Sequence, residues 1–155
     1  MTEVVYVCLW YKEKQKTWSG TAWSLRQAME PYVRIRDFTI SDPVYRKVLR
    51  KLKRKKGLAP KVTAGDRLRL RWLCHDRERT NTFQFGDWPV GDRYASYIYQ
   101  DLSVAAILWL RKQDPEGYRY CEYDQVPLKL LERRADAQLQ NYRKSAAVFT
   151  MSKWL

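Results

Sequence analysis

The sequence predicts an α/β fold in which helices flank a parallel sheet. Residues 4–9 are almost continuously apolar, which is the pattern of a strand buried on both faces. Strand-like and helix-like segments then alternate along the chain, which favours βαβ units with right-handed connections between parallel strands. The length of 155 residues suits a single domain. We therefore expect one parallel sheet flanked by helices.

The composition excludes several classes of protein. With 45% hydrophobic residues, the chain is too apolar to be a disordered protein. No apolar run reaches the roughly 18–20 residues that a membrane-spanning helix needs, and the start of the chain does not have the pattern of a secretory signal. The odd number of three cysteines and the single histidine favour reduced thiols and no metal site. The sequence thus predicts a cytoplasmic protein with no bound metal and no cofactor.

The first part of the chain predicts a strand, a helix and a second strand. The predicted elements are a strand over residues 1–10, a polar loop over 11–21, a helix over 22–30 and a strand over 33–40. Ser19 or Thr21 is placed to cap the first helix, and Pro31 is placed to stop it. Its inward side would carry Leu25, Ala28 and Met29.

The next predicted element is a strongly basic helix over residues 44–56. Asp42 is placed to cap it, Pro43 suits its first position, and Gly57 can end it. Of the net charge of +13, +12 falls within residues 1–79 and comes mainly from this helix. Four apolar residues share one stripe at helical spacing: Tyr45, Val48, Leu49 and Leu52.

The basic face of this helix has three interpretations that the sequence leaves open. It is a solvated face over a core stripe, a contact with an anionic membrane surface, or a nucleic-acid contact. Nucleic acid is favoured least, because Tyr45 is the one aromatic residue among the basic ones and base stacking needs more. The cations that would contact a membrane or another anion are Arg50, Lys51, Lys53, Arg54, Lys55 and Lys56.

The second part of the chain continues the alternation of strands and helices. Within residues 61–80, leucine and other apolar residues alternate with arginine, which predicts a strand with a basic outer face. The remaining predicted elements are a strand over 81–85, a loop over 86–91, a strand over 95–99, a helix over 103–112, a turn over 114–117, a helix over 127–144 and a strand over 146–151.

Polar and small residues follow three of the predicted strands. Parallel sheets bind ligands beyond the carboxyl ends of their strands, so we expect residues 18–21, 86–87 and 100–103 along one edge. A helix that begins near residue 21 offers free amide groups to an anion, although simple helix capping explains the same residues. Asp101 is either a helix cap or a carboxylate that acts as a general base or orients a hydroxyl. The sequence has neither a dinucleotide fingerprint nor a P-loop.

Several of these segments carry a family resemblance. Residues 18–29 read WSGTAWSLRQAM, residues 83–87 read FQFGD, and residues 97–103 read YIYQDLS. In order, and over nearly the whole chain, these segments resemble the N-terminal domain of GT-B glycosyltransferases of family 4. The resemblance closes with Tyr142, Ser145, Ala146 and the stretch FTMSKWL over residues 149–155. Unlike many relatives, this chain has one glycine in the first loop, and Gln100-Asp101 where they place a histidine.

The resemblance implies one Rossmann-like lobe of a GT-B fold, which mainly holds the acceptor, over residues 1–155. It implies a nucleotide sugar and a glycan or other hydroxyl acceptor as partners. The C-terminal lobe, which mainly binds the nucleotide sugar, has no counterpart among these residues, so we expect the chain alone to be inactive. Asp101 would be the catalytic carboxylate on the acceptor side. Acceptor and donor binding would involve Trp18, Ser19, Gly20, Thr21, Gly86, Asp87, Gln100 and Ser103. The alternative is a basic nucleic-acid-binding or interaction domain without catalysis.

Overall fold

A computed structural model describes residues 2–41, 62–74, 80–89, 95–121 and 123–150 of the chain. Its strands are β1 (Glu3–Cys8), β2 (Arg34–Thr39), β3 (Thr80–Phe85), β4 (Ser96–Gln100) and β5 (Ala147–Thr150). Its α-helices are α1 (Thr21–Met29), α2 (Ala64–Leu73), α3 (Val104–Gln113), α4 (Pro115–Arg119) and α5 (Leu128–Lys144). A 3-10 segment, Lys14–Gly20, leads into α1. The basic helix predicted over residues 44–56, with all its candidate anion contacts, lies outside the described residues.

The five strands form one sheet in the order β2-β1-β3-β4-β5, and every pair is parallel. This confirms the predicted α/β class: the arrangement is Rossmann-like, with helices packed against the sheet. The chain proceeds outward from β1 to β2, then crosses back to β3 on the other side of β1. The crevice between β1 and β3 is therefore the topological switch point, where open α/β sheets bind ligands beyond the carboxyl ends of the strands.

The core lies on both faces of the sheet because alternate residues of each strand point to opposite sides. On one face, α1 packs against a layer rich in aromatic rings, which includes Tyr6, Phe83 and Phe85. On the other face, Leu70 of α2 joins a cluster that contains Phe38 of β2. A third cluster holds α3 against α4 and α5.

The segment predicted as a strand with a basic outer face is the helix α2, and that prediction was wrong. Thr63 caps the helix: its hydroxyl accepts from the Asp66 amide at 3.0 Å, and the Asp66 carboxylate accepts from the Thr63 amide at 2.9 Å. This reciprocal capping box fixes a helix start. Leu70 and Leu73, at helical spacing, pack on the sheet. Burial alone would raise the pKa of Asp66, but hydrogen bonds from Ser41 and Thr63 outweigh burial and lower it.

Two smaller predictions also need correction. The turn predicted over residues 114–117 continues as the single-turn helix α4, because the Asp114 carboxylate accepts from the Gly117 amide at 2.9 Å. The loop predicted over residues 11–21 contains the 3-10 segment. Within the described ranges, none of the helices has the length and apolar character that crossing a membrane requires.

Candidate functional site at the carboxyl edge of the sheet

The three predicted clusters follow β1, β3 and β4, and so lie along one edge of the sheet. Ring contacts connect them, because the Trp18 ring lies 6.1 Å from that of Phe85, and Phe85 stacks on Tyr99 at 5.1 Å. The Gly86 amide donates to the Tyr99 carbonyl at 2.9 Å. The Trp18 side chain is 48% exposed, so this line of rings ends in solvent at the switch-point crevice.

The last three residues of the 3-10 segment form a left-handed turn into α1. Trp18, Ser19 and Gly20 have φ values of 51°, 55° and 88°. Only glycine adopts this region without cost, so the two side-chain-bearing residues are strained. Gly20 occupies the N-cap position of α1, and no side chain caps the helix. The prediction that Ser19 or Thr21 caps α1 was therefore wrong, because a capping side chain needs the extended backbone that Ser19 lacks.

Contacts on both sides hold this turn in place. The Thr17 hydroxyl is buried and accepts from the Tyr11 amide at 3.1 Å. The Asp37 carboxylate of β2 accepts from Lys14 at 2.7 Å and from the Arg26 Nε at 2.8 Å. One carboxylate thus ties the 3-10 segment and α1 to the sheet, and the exposed Trp18 ring is held in a defined position.

The start of α1 is also fixed from the core side. The Tyr6 hydroxyl of β1 donates to the Ala22 carbonyl at 2.8 Å, and both residues are buried. The Tyr6 ring stacks between Trp10 and Phe83, with centroid distances of 5.6 and 5.4 Å. Burial raises the pKa of Tyr6, so its hydroxyl stays protonated and acts as a donor. The helix N-terminus therefore has a set position relative to β1.

Asp101 is exposed at the end of β4, and it does not cap the following helix. That role belongs to Ser103, whose buried hydroxyl accepts from the Ala106 amide at 3.0 Å. Burial raises the pKa of Tyr99, and the neighbouring Asp101 carboxylate raises it further through its charge and a hydrogen bond. Of the two interpretations that the sequence left open for Asp101, the cap is excluded.

Gln100 and Gly86 shape the same edge. The Gln100 side-chain amide donates to the Leu102 carbonyl at 2.8 Å, and its buried carbonyl oxygen has no partner among the described residues. Gly86 has φ of +99°, and a Cβ there would meet the Trp88 Nε1 at 3.2 Å. The same Nε1 donates to the Phe85 carbonyl at 2.8 Å, so the Trp88 indole closes the turn after β3. The indole lies so near Gly86 that a side chain at this position would contact it.

Asp87 lies at this edge but is turned toward α5. Burial raises its pKa, while a hydrogen bond from Gln138 and the charge of Arg134 oppose that rise. Gln138 is buried, and its oxygen accepts from the Val104 amide at 2.7 Å. Burial raises the pKa of Tyr142, and the charge of Asp87 adds to this effect. Asp87 therefore belongs to a polar network that joins β3, α3 and α5, and it does not share the environment of Trp18.

Sequence reasoning missed Tyr99, Gln138 and Arg134 as contributors to this edge. Gln138 occupies an inward position on α5, seven residues after the buried Leu131. A polar residue in an apolar stripe was the available signal, since such residues need a buried partner. Tyr99 carried no signal beyond its place at the end of a strand.

The described residues also include possible metal ligands and three thiols. Among the ranges that the structure covers, no group of three His, Cys, Asp or Glu residues could hold a metal ion. All three cysteines are free. Burial raises the pKa of Cys8 to about 12, with a smaller contribution from the Asp37 charge, so this thiol is a packing residue.

Comparison with protein-family models, with curated proteins and with solved structures finds no match for this chain. The fold and the site define an α/β protein whose switch-point edge combines an uncapped helix start, a line of aromatic rings and an exposed carboxylate.

Proposed function

We propose that this chain is the acceptor-side lobe of a glycosyltransferase, which transfers a sugar from a nucleotide-sugar donor to an acceptor hydroxyl. One observation carries the proposal most directly. Asp101 is an exposed carboxylate at the carboxyl end of β4, and Ser103 performs the capping that would otherwise account for it. The resemblance of residues 18–29, 83–87 and 97–103 to family 4 enzymes supplies the reaction class.

The edge of the sheet has one group for each of the two charges that develop in sugar transfer, on the leaving diphosphate and on the acceptor oxygen. The acceptor oxygen forms a bond to the anomeric carbon, and the bond from that carbon to the diphosphate breaks, so that the diphosphate leaves with the electron pair. The hydroxyl proton passes to a base, either the Asp101 carboxylate or the departing diphosphate. The first turn of α1 has no side-chain cap, and although the Thr21 amide donates to the Trp18 carbonyl, the positive dipole end of the helix favours a departing diphosphate. A carboxylate at Asp101 accepts a hydrogen bond from the acceptor hydroxyl and orients it.

The aromatic line between these two groups suits a sugar ring. Trp18 is the exposed end of a line that continues through Phe85 to Tyr99. A flat, partly exposed indole binds the apolar face of a sugar, while its neighbours keep it from rotating. The donor-binding lobe would complete the site, and we expect no transfer from the 155-residue chain alone with any nucleotide sugar.

The test is the Asp101→Asn substitution in a protein that joins this lobe to a donor-binding lobe. We expect kcat to fall by about 100-fold or more, which is the usual contribution of a positioned acid–base group. Asp136→Asn is the matched control, since Asp136 is an exposed carboxylate on α5. Unchanged turnover in Asp101→Asn, with a circular dichroism spectrum like the parent's, would remove this residue from the site.

A further inference from the structure

The outer face of α2 exposes two large apolar side chains that have no role in the core. Leu68 is 69% exposed and Trp72 is 78% exposed, whereas Leu70 on the inward side is 1% exposed. Leu68 and Trp72 are four residues apart, so their side chains are neighbours on the helix surface. They form an apolar ridge along the middle of the outer face, which we call the Leu68–Trp72 ridge.

Arginines border this ridge on both sides. Arg67 and Arg71 are exposed on one side, and within the described ranges neither pairs with a carboxylate. Arg69, on the other side, is anchored: its guanidinium lies 5.1 Å from the centre of the Phe38 ring and 3.3 Å from the Ser41 hydroxyl. The one acidic residue of α2, Asp66, is buried on the inward side. The outer face therefore presents apolar and cationic groups and no anion.

Helical spacing places Leu68 and Trp72 opposite the residues that pack on the sheet, so core packing does not explain them. An ordinary solvated face carries polar residues, and adjacent exposed apolar side chains indicate a binding surface. A single indole beside a leucine also offers little to successive nucleic-acid bases, which need several stacking rings. An apolar ridge with a tryptophan, bordered by arginines, is the pattern of a helix that lies in a membrane interface.

We propose that α2 docks this protein on an anionic lipid bilayer. Leu68 and Trp72 enter the boundary between headgroups and acyl chains, and Arg67 and Arg71 contact the lipid phosphates. Charge complementarity favours this occupant, because α2 carries three arginines and its single acidic residue, Asp66, is buried on the inward side. The proposal is independent of sugar transfer, and it assigns membrane contact to residues other than the basic segment 50–56.

The position of α2 in the fold leaves the candidate site accessible. The helix packs on the sheet face that carries Phe38, whereas Trp18 and α1 lie with the aromatic layer on the opposite face. A bilayer in contact with the Leu68–Trp72 ridge therefore does not cover the Trp18 ring.

The experiment measures co-sedimentation of the full chain with phosphatidylcholine vesicles that contain one-third phosphatidylglycerol, and with pure phosphatidylcholine vesicles. The Leu68→Ser/Trp72→Ser variant keeps every charge, and we expect its partitioning to fall at least about 10-fold. The Arg67→Gln/Arg71→Gln variant keeps the ridge, and we expect its partitioning into anionic vesicles to fall about fivefold for each arginine removed. Tyr120→Ser/Leu139→Ser is the control and should bind like the parent, because Tyr120 is exposed after α4 and Leu139 is exposed on α5.

Three results would overturn the proposal. The Leu68→Ser/Trp72→Ser variant could bind anionic vesicles like the parent, which would leave charge alone as the cause. The same variant could lose concentration-dependent self-association in light scattering while vesicle binding is unchanged, which would make the ridge an interface between copies. The Arg67→Gln/Arg71→Gln variant could lose binding to a single-stranded oligonucleotide and still bind vesicles like the parent, which would make the arginines a nucleic-acid contact. All substituted side chains are exposed, so the melting temperature should stay within a few degrees and confirm folding.

Discussion

The left-handed turn before α1 is the feature of the candidate site that mutations test most sharply. Ser19 and Gly20 are adjacent, and both have positive φ values, 55° and 88°. Replacement of Gly20 by alanine puts a Cβ into that region, whereas replacement of Ser19 by glycine removes one. Because the two changes act on the same backbone strain with opposite sign, the pair provides its own control.

The magnitudes follow from the backbone geometry. A side chain in the left-handed region costs about 1–2 kcal/mol, and alanine is a poorer N-cap than glycine. The added Cβ would also lie 3.3 Å from the Gln15 carbonyl oxygen. Alanine restricts the unfolded chain, which returns about 0.4–1 kcal/mol, so Gly20→Ala should destabilise the fold by about 1–2 kcal/mol. Ser19→Gly relieves strain but adds unfolded-state entropy, and should stabilise the fold by about 0.5–1 kcal/mol.

Urea unfolding followed by circular dichroism measures both changes in the free energy of unfolding. In thermal unfolding, Gly20→Ala should lower the melting temperature by about 2–4 °C for each kcal/mol lost. Equal stability of Gly20→Ala and the parent, together with a loss of stability in Ser19→Gly, would refute the left-handed conformation. It would also remove the argument that α1 starts without a side-chain cap.

Three further changes test the contacts that hold the fold and the edge. Tyr6→Phe removes the donor to the buried Ala22 carbonyl, and urea unfolding should show a loss of about 1–2 kcal/mol. The pKa of Asp66 is lowered on folding, so its stabilisation is present above its unfolded pKa and lost as pH falls through its folded pKa. Asp66→Asn should therefore lose about 1–3 kcal/mol at neutral pH and flatten the acid limb of the stability curve. Folding raises the pKa of Asp87, so the stability that Asp87 contributes is present below its unfolded pKa and is lost as pH rises through its folded pKa. Asp87→Asn should therefore gain stability relative to the parent as pH rises through that range.

The sequence predicted the sheet well because its strands are locally distinctive. The apolar run in β1 indicated a central strand, and β1 pairs with both β2 and β3. The strand predicted over the α2 segment was wrong because alternating apolar and arginine residues fit two structures. They fit a strand, in which side chains alternate with period two, and they also fit a helix that exposes some of its apolar side chains. The deciding signal was local: Thr63 followed three residues later by Asp66, a pair that forms the capping box.

The grouping of the candidate residues at one edge of the sheet was predictable from the sequence, but the surroundings of each side chain were not. Parallel strands bring their carboxyl ends to one edge, so the grouping of residues 18–21, 86–87 and 100–103 followed from the topology. The direction of Asp87 depends on Gln138, which lies far along the chain on α5. The left-handed backbone of Ser19 depends on contacts such as Thr17 with Tyr11, which no propensity encodes.

The acceptor-side role of the carboxyl edge is tested most directly by an amide chemical-shift map of the full chain. The chain would be titrated with a glycan that a two-lobed enzyme containing it glycosylates. We expect shift changes concentrated in residues 18–23, 85–87 and 99–103, with weaker binding in Asp101→Asn. Changes that cluster at the opposite edge, around the starts of β3 and β4, or no change with any such glycan, would contradict this expectation.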